Sequence, residues 1–217
     1  MFEQHIRNDS PGHRSSLSLR ESSGWSLIEM MTVLAITLTL ASITTVVSLQ
    51  PVLKQQRINT SYNDILTTLR HVHDQAAADM RVYVVSFATP GTVTVTQNTL
   101  AGPLLLTTTL PADVTFHLEA GLPNSPTVAP TTPDGFGSAG FAMDFNQGIG
   151  AGGGTTIYFQ PDGTATDING NLNNGVVYFG RPGDLYSSRA ITLWGTTGRL
   201  RGWRLYPNGA QNVWRQQ

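Results

Sequence analysis

The longest apolar stretch of the chain covers residues 25–49, in which Glu29 is the only charged residue. At 1.5 Å per residue, a helix of this length is long enough to cross a hydrocarbon core of about 30 Å. A secretory signal peptide fits less well, because Gln50 and Pro51 follow the stretch where a small-residue cleavage site would be needed. The pattern predicts a transmembrane helix over residues 25–49.

After Pro51 the apolar positions change to a helical spacing of three and four residues. These positions are Ile58, Tyr62, Ile65, Leu66, Leu69, Val72, Ala76 and Met80. Such spacing places the apolar side chains on one face of a helix. We therefore expect the anchor to continue as an amphipathic helix over residues 50–81, with a kink at Pro51 because proline removes a helical hydrogen bond.

From Val82 onward the apolar period changes to two, which is typical of β-strands. The candidate strands are residues 82–88, 92–97, 114–118, 141–145, 155–160, 176–179, 190–194 and 200–206. Pro90 and Gly91 separate the first two, which predicts a hairpin. Residues 120–140, with four prolines and four glycines, are expected to form an exposed loop. The predicted fold class is α+β, with one long N-terminal helix packed on an antiparallel β head over residues 82–217.

Charge is unevenly distributed, although the formal net charge is only -1. Between Val82 and Gly180 there is no Lys or Arg. The acids in that stretch are Asp113, Glu119, Asp134, Asp144, Asp162 and Asp167. From Arg181 onward the balance reverses, with six arginines against Asp184. The chain has no cysteine, which excludes disulfides and thiolate metal sites.

The start of the apolar stretch carries a recognisable signal. Its residues are Gly24-Trp25-Ser26-Leu27-Ile28-Glu29-Met30-Met31-Thr32-Val33. They resemble the class III signal of type IV pilins and type II secretion pseudopilins, with Trp25 where that family usually has Phe and Ser26 where it usually has Thr. The resemblance implies that residues 1–24 are a leader, that a prepilin peptidase cleaves after Gly24, and that Trp25 becomes N-methylated.

Glu29 needs a partner or a polar position, because an ionised side chain in a membrane helix costs about 2.5–3.5 kcal/mol near the bilayer centre. One interpretation places it at headgroup level, where water and the helix dipole make the charge tolerable. The resemblance implies a second role, in which the α-amino group of a neighbouring subunit neutralises the carboxylate. Glu29 would then set the register of filament assembly.

Parts of the head resemble the GspH/FimT family. The matching segments are residues 155–165, the run Gly198-Arg199-Leu200-Arg201, and residues 66–70 leading into residues 76–85. The family implies a long helix packed against a β-sandwich-like pilin head. The leading hypothesis is a minor pseudopilin, a structural subunit of the periplasmic pseudopilus of a type II secretion system. It implies a single-pass protein of the bacterial inner membrane with a periplasmic head, in contact with membrane lipid and with other pseudopilin or pilin subunits.

The arginines near the end of the chain support an alternative function. Arg199 and Arg201 share a face in a regular strand, and an irregularity at Gly202 would bring Arg204 near them. Guanidinium groups beside Trp203 could hold a phosphate backbone. The motif resembles that of FimT-type minor pilins, which implies DNA contact through Arg199, Arg201 and Arg204 during uptake. The competing interpretation is a solvated strand face, or arginines paired with the acidic middle of the head.

Metal and catalytic sites are not predicted. A calcium loop starting at Asp167 would need Gly at position 172 and Glu at 178, where the chain has Leu172 and Tyr178. His71 and His73 are two residues apart and point to different sides of a helix. No nucleophile, acid and base converge in the sequence, so we predict no cofactor and no enzyme. A membrane-anchored enzyme is the least favoured of the three function classes.

Overall fold

The computed structural model describes residues 24–127, 131–147 and 152–217, with the side chains of residues 42–49 excepted. The chain forms two compact units, one ending at Ser48 and one comprising residues 49–217. Apart from Gly24, the leader expected over residues 1–24 lies outside the described residues.

A single α-helix, α1, spans Leu27–Asp79. It begins directly after the Gly24-Trp25-Ser26 segment, and the Ser26 carbonyl accepts hydrogen bonds from the backbone N–H of Glu29 at 2.9 Å and of Met30 at 3.1 Å. Pro51 lies within the helix, which continues beyond it.

The helix ends two residues before the predicted boundary, because Met80 adopts a left-handed φ of 53°. The prediction that Met80 belongs to the buried face is wrong, since its side chain is exposed.

In the first unit, the described part of α1 carries exposed apolar side chains on every side. They are Leu27, Ile28, Met30, Met31, Val33, Leu34, Ile36, Leu38 and Leu40. Consecutive residues of a helix point about 100° apart, so this set leaves no polar face. Among the residues that the structure describes, no helix is both long and apolar enough to cross a membrane.

In the second unit, α1 buries the face that the sequence pattern predicts. Ile58, Ile65, Leu69 and Ala76 are completely buried, and Tyr62 is nearly so. Each fully buried Ile or Leu side chain contributes about 1.5–3 kcal/mol of transfer free energy. The amphipathic part of the helix is therefore held by its packing against the head.

Ten strands follow the helix. They are β1 (Tyr83–Ala88), β2 (Thr92–Gln97), β3 (Leu104–Thr109), β4 (Met143–Gln147), β5 (Thr156–Phe159), β6 (Ala165–Thr166), β7 (Asn174–Arg181), β8 (Asp184–Trp194), β9 (Arg199–Asn208) and β10 (Gln211–Gln216). The first sheet has the order β3-β2-β1-β5-β6, and the second sheet has the order β10-β9-β8-β7-β4. All named pairs are antiparallel, which confirms the α+β class and the hairpin of β1 and β2.

The main hydrophobic cluster joins the buried face of α1 to side chains from both sheets. A smaller cluster lies on the other face of the second sheet, where Tyr178, Leu205 and Trp214 pack against Leu122 and neighbouring residues of the chain before β4. The second sheet therefore contributes buried apolar side chains on both of its faces.

Three sequence predictions about the head need correction. Residues 114–118 are not a strand, because Thr115 makes only an isolated bridge to Gly180 while Val114 and Phe116 fill the core. The predicted irregularity at Gly202 is wrong, because β8 and β9 pair in continuous register from Arg189–Arg204 to Trp194–Arg199.

The third correction concerns residues 120–140, which were predicted to be an exposed loop. The described part is irregular apart from a short 3-10 helix, Pro133–Gly135. It is not generally exposed, because Leu122, Thr132 and Pro133 are buried. The segment packs onto the second sheet and brings polar groups to its surface.

Candidate functional site

Glu29 lies in the first turn of α1 and is exposed. None of the ion pairs between described residues involves its carboxylate. The first turn of a helix carries unsatisfied N–H groups and the positive end of the dipole, which favour a carboxylate there. The Glu29 carboxylate is thus accessible to a positively charged group from another molecule, in addition to the positive end of its own helix dipole.

The three arginines proposed for DNA contact do not share one surface. Because β9 is regular, Arg199 and Arg201 point to the face that also carries Trp203, whereas Arg204 points to the face that carries Gly202. The face with Gly202 is turned toward α1, since a β-carbon at position 202 would overlap the hydroxyl of Tyr62.

Arg201 forms an ion pair with Asp134, with 2.5 Å between its Nη1 and Oδ1 of the carboxylate. The other carboxylate oxygen accepts a hydrogen bond of 2.5 Å from the Thr192 hydroxyl, which in turn accepts one of 3.0 Å from Trp203 Nε1. The Asp134 side chain is only 5% exposed. The interpretation that arginines pair with the acidic middle of the head is therefore confirmed for Arg201.

Arg199 is the exposed member of the proposed set. It lines an open groove together with Trp194, Thr196, Thr197 and Arg201. Arg201 is engaged by Asp134, and Arg204 lies on the opposite face of the sheet. Among the described residues, this groove therefore offers a ligand one guanidinium group without an acidic partner. A single cation is a weak basis for holding a nucleic acid backbone, which is normally bound through several phosphate contacts.

Arg204 belongs to a different group of cations. It lies opposite Arg189 on β8 and opposite Arg215 on β10, so all three side chains share the face turned toward α1. The Tyr206 ring lies close to two of them, with its centroid 5.2 Å from Cζ of Arg204 and 5.5 Å from Cζ of Arg215. We call Arg189, Arg204 and Arg215 the arginine row.

Arg189 is fully buried, which is unusual for an arginine. Its Nη1 donates to the carbonyl oxygens of Tyr186, Ser187 and Ser188, and its Nη2 donates to Asn59 Oδ1 on α1 at 2.9 Å. Burial, followed by the nearby Arg204 guanidinium, lowers the pKa of Arg189 to about 10. The group still carries a positive charge at neutral pH.

Sequence reasoning missed the arginine row because its members are separated by long stretches of chain. Only the register of β8, β9 and β10 brings them together, and β10 itself was not predicted. Asp134 was also missed as a partner, since it lies in an irregular segment 67 residues before Arg201. No spacing in the sequence signals either contact.

The residues around Asp167 are held by turn hydrogen bonds. Its carboxylate accepts from the backbone N–H of Asn169 and Asn171, and from the Asn171 side chain. Burial raises the pKa of Asp167, but these hydrogen bonds outweigh it and the pKa is lowered. His73 contacts the Gly163 carbonyl at 3.1 Å, while His71 is exposed. In the part of the chain that the structure describes, no group of three or more His, Asp or Glu residues could hold a metal ion.

Comparison of the chain with protein-family models, with curated proteins and with solved structures finds no match.

Proposed function

We propose that the chain is a minor pseudopilin of a type II secretion system, anchored in the bacterial inner membrane with its head in the periplasm. The observation that carries this proposal is the position of the helix start. α1 begins three residues after Gly24, and Glu29 occupies its first turn. This is the arrangement that a subunit needs if cleavage after Gly24 frees an α-amino group beside the start of an assembly helix.

The exposed apolar surface of the first unit supports the same proposal. Leu27, Ile28 and Leu34 are each more than half exposed, and large apolar side chains surround the helix. A helix that is apolar on all sides must be covered by lipid or by other helices. The apolar sequence also continues through residues 42–49, whose side chains lie outside the described ones. In a pseudopilus, lipid would cover this segment before assembly and neighbouring subunits would cover it afterwards.

Glu29 supplies the specificity of that packing in this proposal. An unpaired carboxylate among apolar helices is costly, whereas pairing with an α-amino group of the next subunit recovers much of that cost. Only one axial position of the incoming subunit makes the pair. Glu29 would therefore select the correct register rather than merely add affinity.

Cross-linking in membranes tests this role. The chain has no cysteine, so a single cysteine placed at Ile36 reports on helix contacts without background. We expect oxidative cross-linking between Ile36→Cys and a cysteine in the helix of a neighbouring pseudopilin. Adding Glu29→Gln should reduce the cross-linked fraction by about tenfold, as expected for the loss of an ion pair shielded from water.

Asp64→Asn is the matched control, because it also removes one acid from α1 but changes an exposed position in the second unit. It should leave the cross-linked fraction unchanged. Equal yields for Glu29→Gln and Asp64→Asn, at equal protein levels, would contradict the assembly role of Glu29.

A further inference from the structure

The arginine row places three positive side chains at directly opposed positions on neighbouring strands. Arg189 pairs with Arg204 across β8 and β9, and Arg204 pairs with Arg215 across β9 and β10. Like charges directly opposite each other destabilise a sheet. A row of three such residues therefore calls for a compensating interaction.

No member of the row forms an ion pair in the part of the head that the structure describes. The ion pairs there involve Arg57, Arg181 and Arg201, together with two histidines, but no member of the row. Nε of Arg189 and Nε of Arg204 are buried without a hydrogen-bond partner. The acceptors around Arg189 are neutral carbonyl and amide oxygens, which accept from its two Nη groups but do not compensate its charge. The Asp184 carboxylate favours the charged form of Arg189, but by less than burial and the Arg204 guanidinium oppose it.

The row ends at an open edge of the second sheet. β10 is the last strand on that side, and Arg215 is exposed there. An edge strand presents unpaired backbone N–H and C=O groups on its outer side. A further strand added to β10 would place one of its residues directly opposite Arg215, on the face that carries the row.

We propose that β10 binds an extended acidic segment of a partner protein by strand addition, with an acidic side chain opposite Arg215. Backbone hydrogen bonds along β10 provide affinity, and the arginine row selects the charge. The Tyr206 ring lies close to the guanidinium groups of Arg204 and Arg215, at distances that allow cation–π interactions.

A peptide fits this site better than a phosphate-bearing ligand. The cations become less accessible along the row, from exposed Arg215 through half-buried Arg204 to buried Arg189. A nucleic acid or a lipid surface would reach mainly the outermost one, and it could not use the backbone groups of β10. An added strand uses both the backbone edge and the charge. This inference concerns β8, β9 and β10 alone and does not depend on membership in a pseudopilus.

Fluorescence anisotropy with labelled synthetic peptides tests the proposal on the full-length protein in detergent. The probe is a capped peptide of about six residues, the usual strand length, with alternating Glu and Val. We expect saturable binding of this peptide and no binding of the Lys and Val equivalent. A Glu and Val peptide with N-methylated backbone amides should bind about tenfold more weakly, because it cannot extend the sheet.

Arg215→Gln should weaken binding of the Glu and Val peptide by about tenfold, the typical value of a charge-assisted hydrogen bond. Arg199→Gln is the matched control, since it removes one exposed arginine from the other face of the same sheet. It should leave the affinity unchanged. Circular dichroism establishes that both variants are folded. Equal binding of the N-methylated peptide would overturn strand addition, and equal losses in the two variants would overturn the role of the row.

Discussion

Replacing Gly202 by alanine is expected to destabilise the second unit by about 3 kcal/mol, at the upper end of typical overpacking costs. A β-carbon at position 202 would overlap the hydroxyl and ring of Tyr62, and it would lie 2.8 Å from Cε2 of that ring. Tyr62 is buried in the face of α1 that packs on the head, so its ring has little room to move. The helix or β9 would have to shift.

Equilibrium urea unfolding of the full-length protein measures this effect. Gly140→Ala is the matched control, because position 140 is exposed and nothing lies within 4 Å of a β-carbon there. It should change the unfolding free energy by no more than about 0.5 kcal/mol. In a Tyr62→Leu background the cost of Gly202→Ala should fall by at least about 1 kcal/mol, since the two residues are in contact. Equal stability of Gly202→Ala and Gly140→Ala would contradict the close packing of α1 on β9.

The second large effect is expected for Arg201→Ala, which should destabilise the protein by about 3 kcal/mol. The substitution leaves the Asp134 carboxylate, only 5% exposed, with the Thr192 hydroxyl as its remaining side-chain donor. An unpaired buried charge of this kind costs more than the ion pair contributes, because its desolvation is no longer offset. Arg199→Ala removes the neighbouring arginine on the same face but should cost no more than about 0.5 kcal/mol, since that residue is exposed.

A charge-neutral double variant tests the reason for this loss. Arg201→Gln with Asp134→Asn removes both charges and retains amide groups that can bond to each other, and Asn tolerates the left-handed φ of 51° at position 134. We expect this double variant to unfold at a higher urea concentration than Arg201→Ala. If Arg201→Ala and Arg199→Ala are equally stable, Arg201 is a solvated side chain and the ion pair does not stabilise the fold.

The variant Arg199→Ala is the better choice for testing whether this face binds DNA, because it should leave the fold intact.

Much of the fold could be predicted from local pattern. The spacing of apolar residues from Ile58 to Ala76 identified the buried face of α1, because a helix has a fixed period. The Pro90-Gly91 turn between two alternating runs identified the first hairpin. Both predictions depend on residues close together in sequence, where the backbone geometry leaves few alternatives.

The elements that were missed lack such a pattern. β3 reads Leu-Leu-Leu-Thr-Thr-Thr and is exposed along most of its length, so neither alternation nor burial marks it. β10 is an edge strand with mostly polar residues, and Trp214 is its one buried side chain. Edge strands are defined by the neighbour they pair with, which a single sequence does not show.

The same difference separates the site residues that could be predicted from those that could not. Glu29 could be identified because Gly24 and the apolar run lie beside it in the sequence. The grouping of Arg204 with Arg199 and Arg201 was expected from an irregularity at Gly202, yet the strand is regular there and places Arg204 on the opposite face. Arg201 and Asp134 are 67 residues apart, and their pairing depends on how an irregular segment packs. No local sequence pattern marks such a pair.

The intact mass of the protein extracted from bacterial membranes tests the central claim most directly. A processed pseudopilin is expected to have the mass of a chain that begins at N-methylated Trp25 and lacks residues 1–24. A mass that retains residues 1–24, in cells with an active prepilin peptidase, would contradict the assignment of Gly24 as a cleavage site and of α1 as an assembly helix.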